Sequence, residues 1–199
     1  AESRPIVGQL HMYRLGMDLP RGQAHDNFDR AAMLIHERYS AGTRRETPAS
    51  VPWDQLDEFY RKSNRRLVRN TFWMVEQLAG HTWNTWGMPP DNLSVTELDE
   101  LASPIAQLNR LGFDDDAIEA MAQAEFEEWN RYMRRDDWPP GEVRDCGNKR
   151  HEKLVGWERT KAEPELMTAA LSSLATTLIQ LRLLGYRSAP LWRGPGQTP

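Results

Sequence analysis

At 199 residues the chain can hold one sizeable domain or two small ones, and 39% hydrophobic with 27% charged residues is ordinary for a globular protein. A formal net charge of −4 excludes a nucleic-acid binder working through bulk positive charge, while a local basic patch stays open. A single cysteine, Cys146, excludes an intrachain disulfide and fits a reducing, cytoplasmic setting.

No apolar run in the sequence reads as membrane-spanning, and no signal-peptide pattern opens it. The first residue is Ala1 rather than Met, which fits either a trimmed chain or a piece of a longer protein. Eight tryptophans is a high count. Core packing is the usual cause, but several of them sit beside proline, glycine and charge.

Residues 1–24 read as irregular, with a short strand over 6–13 as an option. Asp26 is placed to cap a helix carrying Phe28, Ala31, Ala32, Ile35 and Tyr39 on one face. Residues 40–52 are polar with two prolines and read as a loop. From Pro52 to Gly80 a long helical pattern sets Leu56, Tyr60, Ser63, Leu67, Thr71, Met74 and Leu78 on one stripe, and Gly80 is a natural stop. A break near Ser63 and Asn64 is the alternative.

Residues 81–93 read as a loop. Ser94 and Glu97 match a capping box before a helix with Leu98, Leu101, Ile105 and Leu108, which Pro104 should kink or restart. Asp114 or Asp115 caps the next helix, whose stripe is Ile118, Ala122, Glu125, Trp129 and Tyr132. After a loop over 134–158, Pro164 opens a last helix with Met167, Leu171, Leu174, Leu178 and Leu181, ending at Gly185. The Pro/Gly-rich tail 188–199 is expected to be poorly ordered.

A weak internal repeat runs through this order. IHERY, VPWDQL and MVEQLAG over 35–80 parallel EEWNRY, LVGWERT and LRLLG over 127–185. Each half reads as helix, loop, tryptophan-anchored turn, long helix and glycine stop. The expected architecture is therefore mainly α: two pseudo-symmetric helical halves, long loops and at most short β-strands, with the halves at 25–93 and 94–187. A duplication of this kind buries each half's apolar face against the other.

The chemistry concentrates between residues 125 and 157. Glu125 falls on an apolar stripe, where an unpaired carboxylate is costly to bury. It is either a structural acceptor, tied to loop N–H groups or an arginine, or a ligand contact. Trp129, Trp138 and Trp157 offer flat walls, and Arg144, Lys149 and Arg150 are donors suited to phosphate or carboxylate, with Asp145 orienting one of them. Such a set favours a flat anionic ligand; the competing reading is an Arg144–Asp145 network that holds the loop on the core.

Other motifs are poor. His151 near Cys146 lacks the partners of a metal site, and His36-Glu37 lacks the second histidine of a zinc-protease helix. No nucleophile elbow, Walker A or dinucleotide fingerprint occurs, and neither a Cys146–His151 pair nor a hydrolase around Glu125 and His151 has further support. Basic residues from Arg61 to Arg69 form a stripe of solvated or salt-bridged side chains; alternatively Ser63, Asn64 and Arg65 line a cleft between the halves.

Glu125, Trp129, Trp138, Gly141, Arg144-Asp145, Arg150-His151, Leu154-Val155, Trp157 and Leu184-Gly185-Tyr186 stand in the order and spacing of a ryanodine-receptor (RyR) repeat domain, which this segment resembles. It departs at Phe126, Asp137, Glu152 and Gly156, where the family has His, Gly, Pro and Pro. The segment over 35–66 is similar to the region before the RyR module in bacterial proteins that join it to a TrkA-type NAD-binding domain. On that resemblance, 6–13 is a residual strand of an upstream domain.

The resemblance implies a non-enzymatic, cytoplasmic, regulatory module without a cofactor. With the loop chemistry, the expected activity is binding of a small anionic or nucleotide-like ligand, with no nucleic acid or membrane insertion. The alternative is a protein-interaction module, including a homo-oligomer, whose tryptophans are pure core.

Overall fold

Long amphipathic helices packed around one central apolar helix, with short helices at the flanks, set the architecture. The computed structural model describes residues 27–42, 47–83 and 92–191. The expected cap Asp26, the optional strand over 6–13 and the tail beyond residue 191 lie outside the described residues. Within them the protein is mainly α with short strands.

Helix α1 spans Asn27–Gly42 and packs Ala31, Ala32, Ile35 and His36 inward, while Tyr39, placed on that face by its spacing, is 41% exposed. A 3-10 turn at Trp53–Gln55 follows and seats Leu56 in the core. Helix α2, Glu58–Gln77, therefore starts later than the sequence pattern suggested: the Asp57 carboxylate accepts from Phe59 N and caps it. It runs unbroken through Ser63 and Asn64, burying Leu67, Val68, Thr71, Met74 and Val75, and leaves Leu78 exposed.

Ser94 and Glu97 form the expected capping box at helix α3, Val95–Asp99. The helix then restarts rather than kinks. Ser103 caps helix α4, Pro104–Arg110, with Pro104 in the first turn, where its missing N–H costs nothing. Leu98 and Leu108 are buried, but Ile105 faces solvent. Asp114 caps helix α5, Asp115–Arg135, whose inward stripe holds Ile118, Ala122 and Glu125.

Three segments outside the expected helices are ordered, including 188–190 at the start of the tail expected to be poorly ordered. His81–Trp83 is strand β1, fully buried, and pairs antiparallel with strand β2, Ser188–Pro190, in the register His81↔Pro190 and Trp83↔Ser188. Strands of three residues carry no readable period, and the partner lies about a hundred residues away in the chain, so neither is visible locally. Residues 157–162 form helix α6, Trp157–Ala162; Gly156 precedes it without a side-chain cap, which removes the usual start signal.

Helix α7, Pro164–Leu183, is by length and composition apolar enough to cross a membrane, contrary to the expectation that no apolar run reads that way. In the fold it is the central helix: it touches α1 to α6, and Leu171, Leu174, Ala175, Leu178, Ile179 and Leu181 are buried on it. Helix α1 packs on α2 and α7, and α5 packs on α7 and α2, so α1 and α5 hold equivalent places around the long pair. Gly80 and Gly185 follow α2 and α7 at φ 62° and 87°, the left-handed conformation that ends a helix cheaply only at glycine.

Truncation of a fully buried α7 side chain tests this core. Leu174→Ala is expected to lower the unfolding free energy by about 2–5 kcal/mol, and Ile105→Ala by no more than about 0.5 kcal/mol, in urea titrations. Equal effects would contradict the central place of α7.

Candidate functional site

A cavity of about 640 Å³ opens where α1, α2, α5 and α7 meet the irregular arm between α5 and α6. Its existence follows from side-chain size. Helix α7 turns Ala169, Ala170, Ser172, Ser173 and Thr176 towards it, and these small residues do not fill the space between the helices. Phe59 on α2 with Phe126 and Trp129 on α5 form an aromatic wall.

The arm is held in place from several directions. Isolated bridges link Pro140 with His151 and Asp145 with Arg150. Gly141 lies so close to the returning strand that an added Cβ would stand 2.8 Å from Arg150 Cβ, so a side chain there displaces the arm. Trp138 is buried and stacks on Phe59 at 6.0 Å between centroids, and Tyr132 donates its hydroxyl to Phe59 O at 2.6 Å.

Arg144 is brought by this arm to the cavity. Its Nη1 donates to the Tyr39 hydroxyl at 2.9 Å, and its buried Nε has no hydrogen-bond partner among the described residues. No carboxylate of the described residues pairs with it. Burial disfavours its charge, but the Tyr39 hydroxyl and Cys146 more than offset this and hold the guanidinium above its ordinary pKa. Nearby, burial first and Cys146 second push the Tyr60 phenol up to about 12, against Arg144.

Glu125 is the one buried carboxylate among the described residues. Arg66 reaches it from α2 with two hydrogen bonds, Nη2–Oε1 at 2.6 Å and Nη1–Oε2 at 3.2 Å, and Asn70 Nδ2 donates to Oε2 at 2.7 Å. The Arg66 guanidinium also lies 5.7 Å from the Tyr132 ring centroid. Burial pushes the Glu125 carboxyl up; Arg66 and Asn70 pull it back. The sequence reading allowed an arginine partner for Glu125, and the structure supplies Arg66.

His151 is 7% exposed, lines the cavity and meets Trp129 edge-on at 5.0 Å. Its Nδ1 accepts Lys153 N–H at 3.2 Å, which places the ring proton on Nε2; Nε2 has no partner among the described residues. Burial lowers its pKa to about 4, with Glu152 opposing and Arg144 and Lys153 assisting, so the ring is neutral at neutral pH.

Of the residues singled out in the sequence, the structure brings Glu125, Trp129, Arg144, His151, Ser63 and Asn64 to one cavity. The others lie elsewhere, for identifiable reasons. Trp138 and Trp157 are core side chains behind the wall. Asp145 does not orient an arginine: its carboxylate accepts from Gly147 N, Asn148 N and Asn148 Nδ2 and shapes a turn. Those three hydrogen bonds, led by Asn148, hold its pKa below the usual carboxylate value.

Lys149 pairs with Asp136 at 2.9 Å, Arg150 points outward, and Arg65 is occupied by Asp29 and Glu58 on the far side of α2. Phe59, Tyr39, Tyr60, Arg66 and the small residues of α7 also line the cavity, although the sequence marks Tyr39 and Tyr60 only as helix-face residues and Arg66 only as part of a basic stripe. The run of Ala and Ser within an otherwise leucine-rich helix is the signal that marks the small residues of α7. Among the described residues no group of three His, Cys, Asp or Glu is placed to hold a metal. No protein-family model matches the chain, and no curated protein matches it.

Two outcomes follow from the buried groups. Glu125→Ala leaves the Arg66 guanidinium desolvated without a counter-charge and is expected to cost about 3–5 kcal/mol, whereas Glu125→Leu with Arg66→Met should cost far less. A small loss in the single variant would contradict the pairing. For His151 the folded pKa lies below the unfolded value near 6.5, so the unfolded chain binds the extra proton between pH 4 and 6.5. The difference in stability between the wild type and His151→Gln should therefore rise from pH 4 to about 6.5 and stay level above it. A difference independent of pH would show an exposed ring.

Proposed function

We propose that the chain is a non-catalytic, regulatory ligand-binding domain whose cavity takes a small anionic, nucleotide-like ligand. The observation that carries this is Arg144, a partly buried guanidinium that faces a cavity of about 640 Å³ and pairs with no carboxylate among the described residues. A desolvated cation gains most from a carboxylate or phosphate brought to it, because a guanidinium matches both in two-point geometry. The volume lies within the ordinary range for small-molecule sites, and the Trp129 and Phe59 faces suit a planar group.

His151 adds a neutral N–H donor. Glu125 is committed to Arg66 and Asn70 and so supports the walls rather than performing acid–base chemistry. The resemblance to RyR repeat domains supports the same reading, since it implies a regulatory and non-enzymatic module. On that view Arg144, His151 and Trp129 of the resembling segment face the ligand, while Trp138, Leu154 and Trp157 hold the scaffold.

A second reading, an interaction or self-association module, draws on Trp73, Leu183 and Leu191, which are 50%, 54% and 53% exposed. They lie towards the end closed by β1 and β2, where Leu191 N donates to Gly80 O at 2.9 Å. Sedimentation at rising concentration separates the two: a self-association lost in Trp73→Ser favours this one.

The ligand reading is tested by thermal shift and tryptophan fluorescence against nucleotides and flat aromatic acids. At least one compound should raise the melting temperature, and Arg144→Ala should weaken its binding by about tenfold or more, as loss of a charge-assisted contact of roughly 1.5–3 kcal/mol requires, without unfolding the protein. No response across the panel, or equal binding by Arg144→Ala, would overturn the proposal.

A further inference from the structure

The α2 and α7 walls of the cavity carry hydroxyls and an amide that the protein leaves unused. In helices, threonine and serine usually return their hydroxyl to the carbonyl four residues back, and Thr71, Thr160 and Thr177 do so, with Thr177 Oγ1 2.8 Å from Ser173 O. The cavity-lining Ser63, Ser172, Ser173 and Thr176 make no such bond; Ser173 is exposed and the other three are half-buried. Asn64 beside them gives Nδ2 to Tyr60 O at 2.9 Å, which leaves its amide oxygen open.

A second observation points to a ligand rather than a solvated face. His151 is more than nine-tenths buried and lines the same cavity, and its Nε2 has no partner among the described residues. The ring thus sets a donor at the cavity to which the protein brings no acceptor. The cavity thus offers three kinds of recognition at once: a cation that pairs with no carboxylate among the described residues, since Glu152 at the rim lies 3.4 Å from His151 Nδ1 instead, a flat aromatic wall, and two helix edges of groups that both donate and accept.

A plain aromatic acid uses the first two and leaves the edges unmatched. A nucleoside monophosphate uses all three, because its ribose carries vicinal hydroxyls of the same donor–acceptor character. We propose that the Ser63–Asn64 edge of α2 and the Ser172–Thr176 edge of α7 form a ribose-binding subsite, and that the ligand is a nucleoside monophosphate with its phosphate on Arg144. The inference rests on the ligand-binding reading above and goes further by naming the sugar.

Calorimetric titration of the full chain tests it with the four common ribonucleoside 5′-monophosphates, their 2′,3′-dideoxy counterparts and indole-3-acetate. At least one ribonucleotide should bind about tenfold tighter than its dideoxy form, since two neutral hydrogen bonds are lost. In the double variant Ser172→Ala/Thr176→Val the gap should close, with dideoxynucleotide binding unchanged. Equal binding of ribo and dideoxy forms overturns the subsite. If no ribonucleotide binds but indole-3-acetate binds and Arg144→Ala abolishes it, the sugar inference fails while the anion-binding reading stands. If nothing binds, both fail. Should the double variant unfold, Asn64→Leu alone is expected to narrow the gap, and an unchanged gap there counts against the proposal.

Discussion

The pairing of Arg66 with Glu125 governs the rest of the molecule. Glu125 is the single buried carboxylate among the described residues, and it is taken by a cation from the neighbouring long helix. Both side chains are largely buried, at 13% and 8% exposure, so removing either partner strands a charge, and the pair specifies how α2 and α5 face each other more than it adds net stability. It has a further effect. With Glu125 committed to Arg66 and Asn70, the cavity beside it holds no acid free to neutralise Arg144 from that wall.

Everything else in the arm serves to present that arginine. Trp138 pins the arm by stacking on Phe59, Asp145 shapes the turn, and Lys149 ties the turn back to Asp136. Gly141 allows the two sides of the arm to approach closely. The tryptophans and charges that crowd this stretch thus divide into two sets. Trp138, Trp157, Asp145 and Lys149 build the support, and Arg144, His151 and Trp129 reach the cavity. One segment carries both because an irregular backbone needs many local anchors before it can hold one side chain in a fixed direction.

Much of the helical framework is legible in the sequence, since its signals are local. The Ser94–Glu97 box, the Asp114 cap, Pro104 at a first turn and the glycines at 80 and 185 each act within a few residues. What escapes local reading depends on partners far along the chain. Strand β1 exists because of β2, and Arg66 meets Glu125 across 59 residues. The exposure of Tyr39 is explained the same way: its hydroxyl serves Arg144, 105 residues on. The site was legible as a composition, namely tryptophan with basic residues. Which of those side chains turn towards the cavity was not, because rotation about a few loop dihedrals decides it.

A duplication would set α1 against α5 and α2 against α7, the places these helices occupy around the central pair. The expected division at residues 93 and 94 does not separate the chemistry. The second half carries the arm with Arg144 and His151 and the small residues of α7, whereas the first supplies Phe59, Tyr60 and Arg66 on α2. The cavity therefore belongs to neither half alone. The most direct measurement is diffraction from crystals soaked with indole-3-acetate. The account predicts a carboxylate held by the Arg144 guanidinium and an indole plane against Trp129; an empty cavity with Arg144 paired to a carboxylate of the chain itself would contradict it.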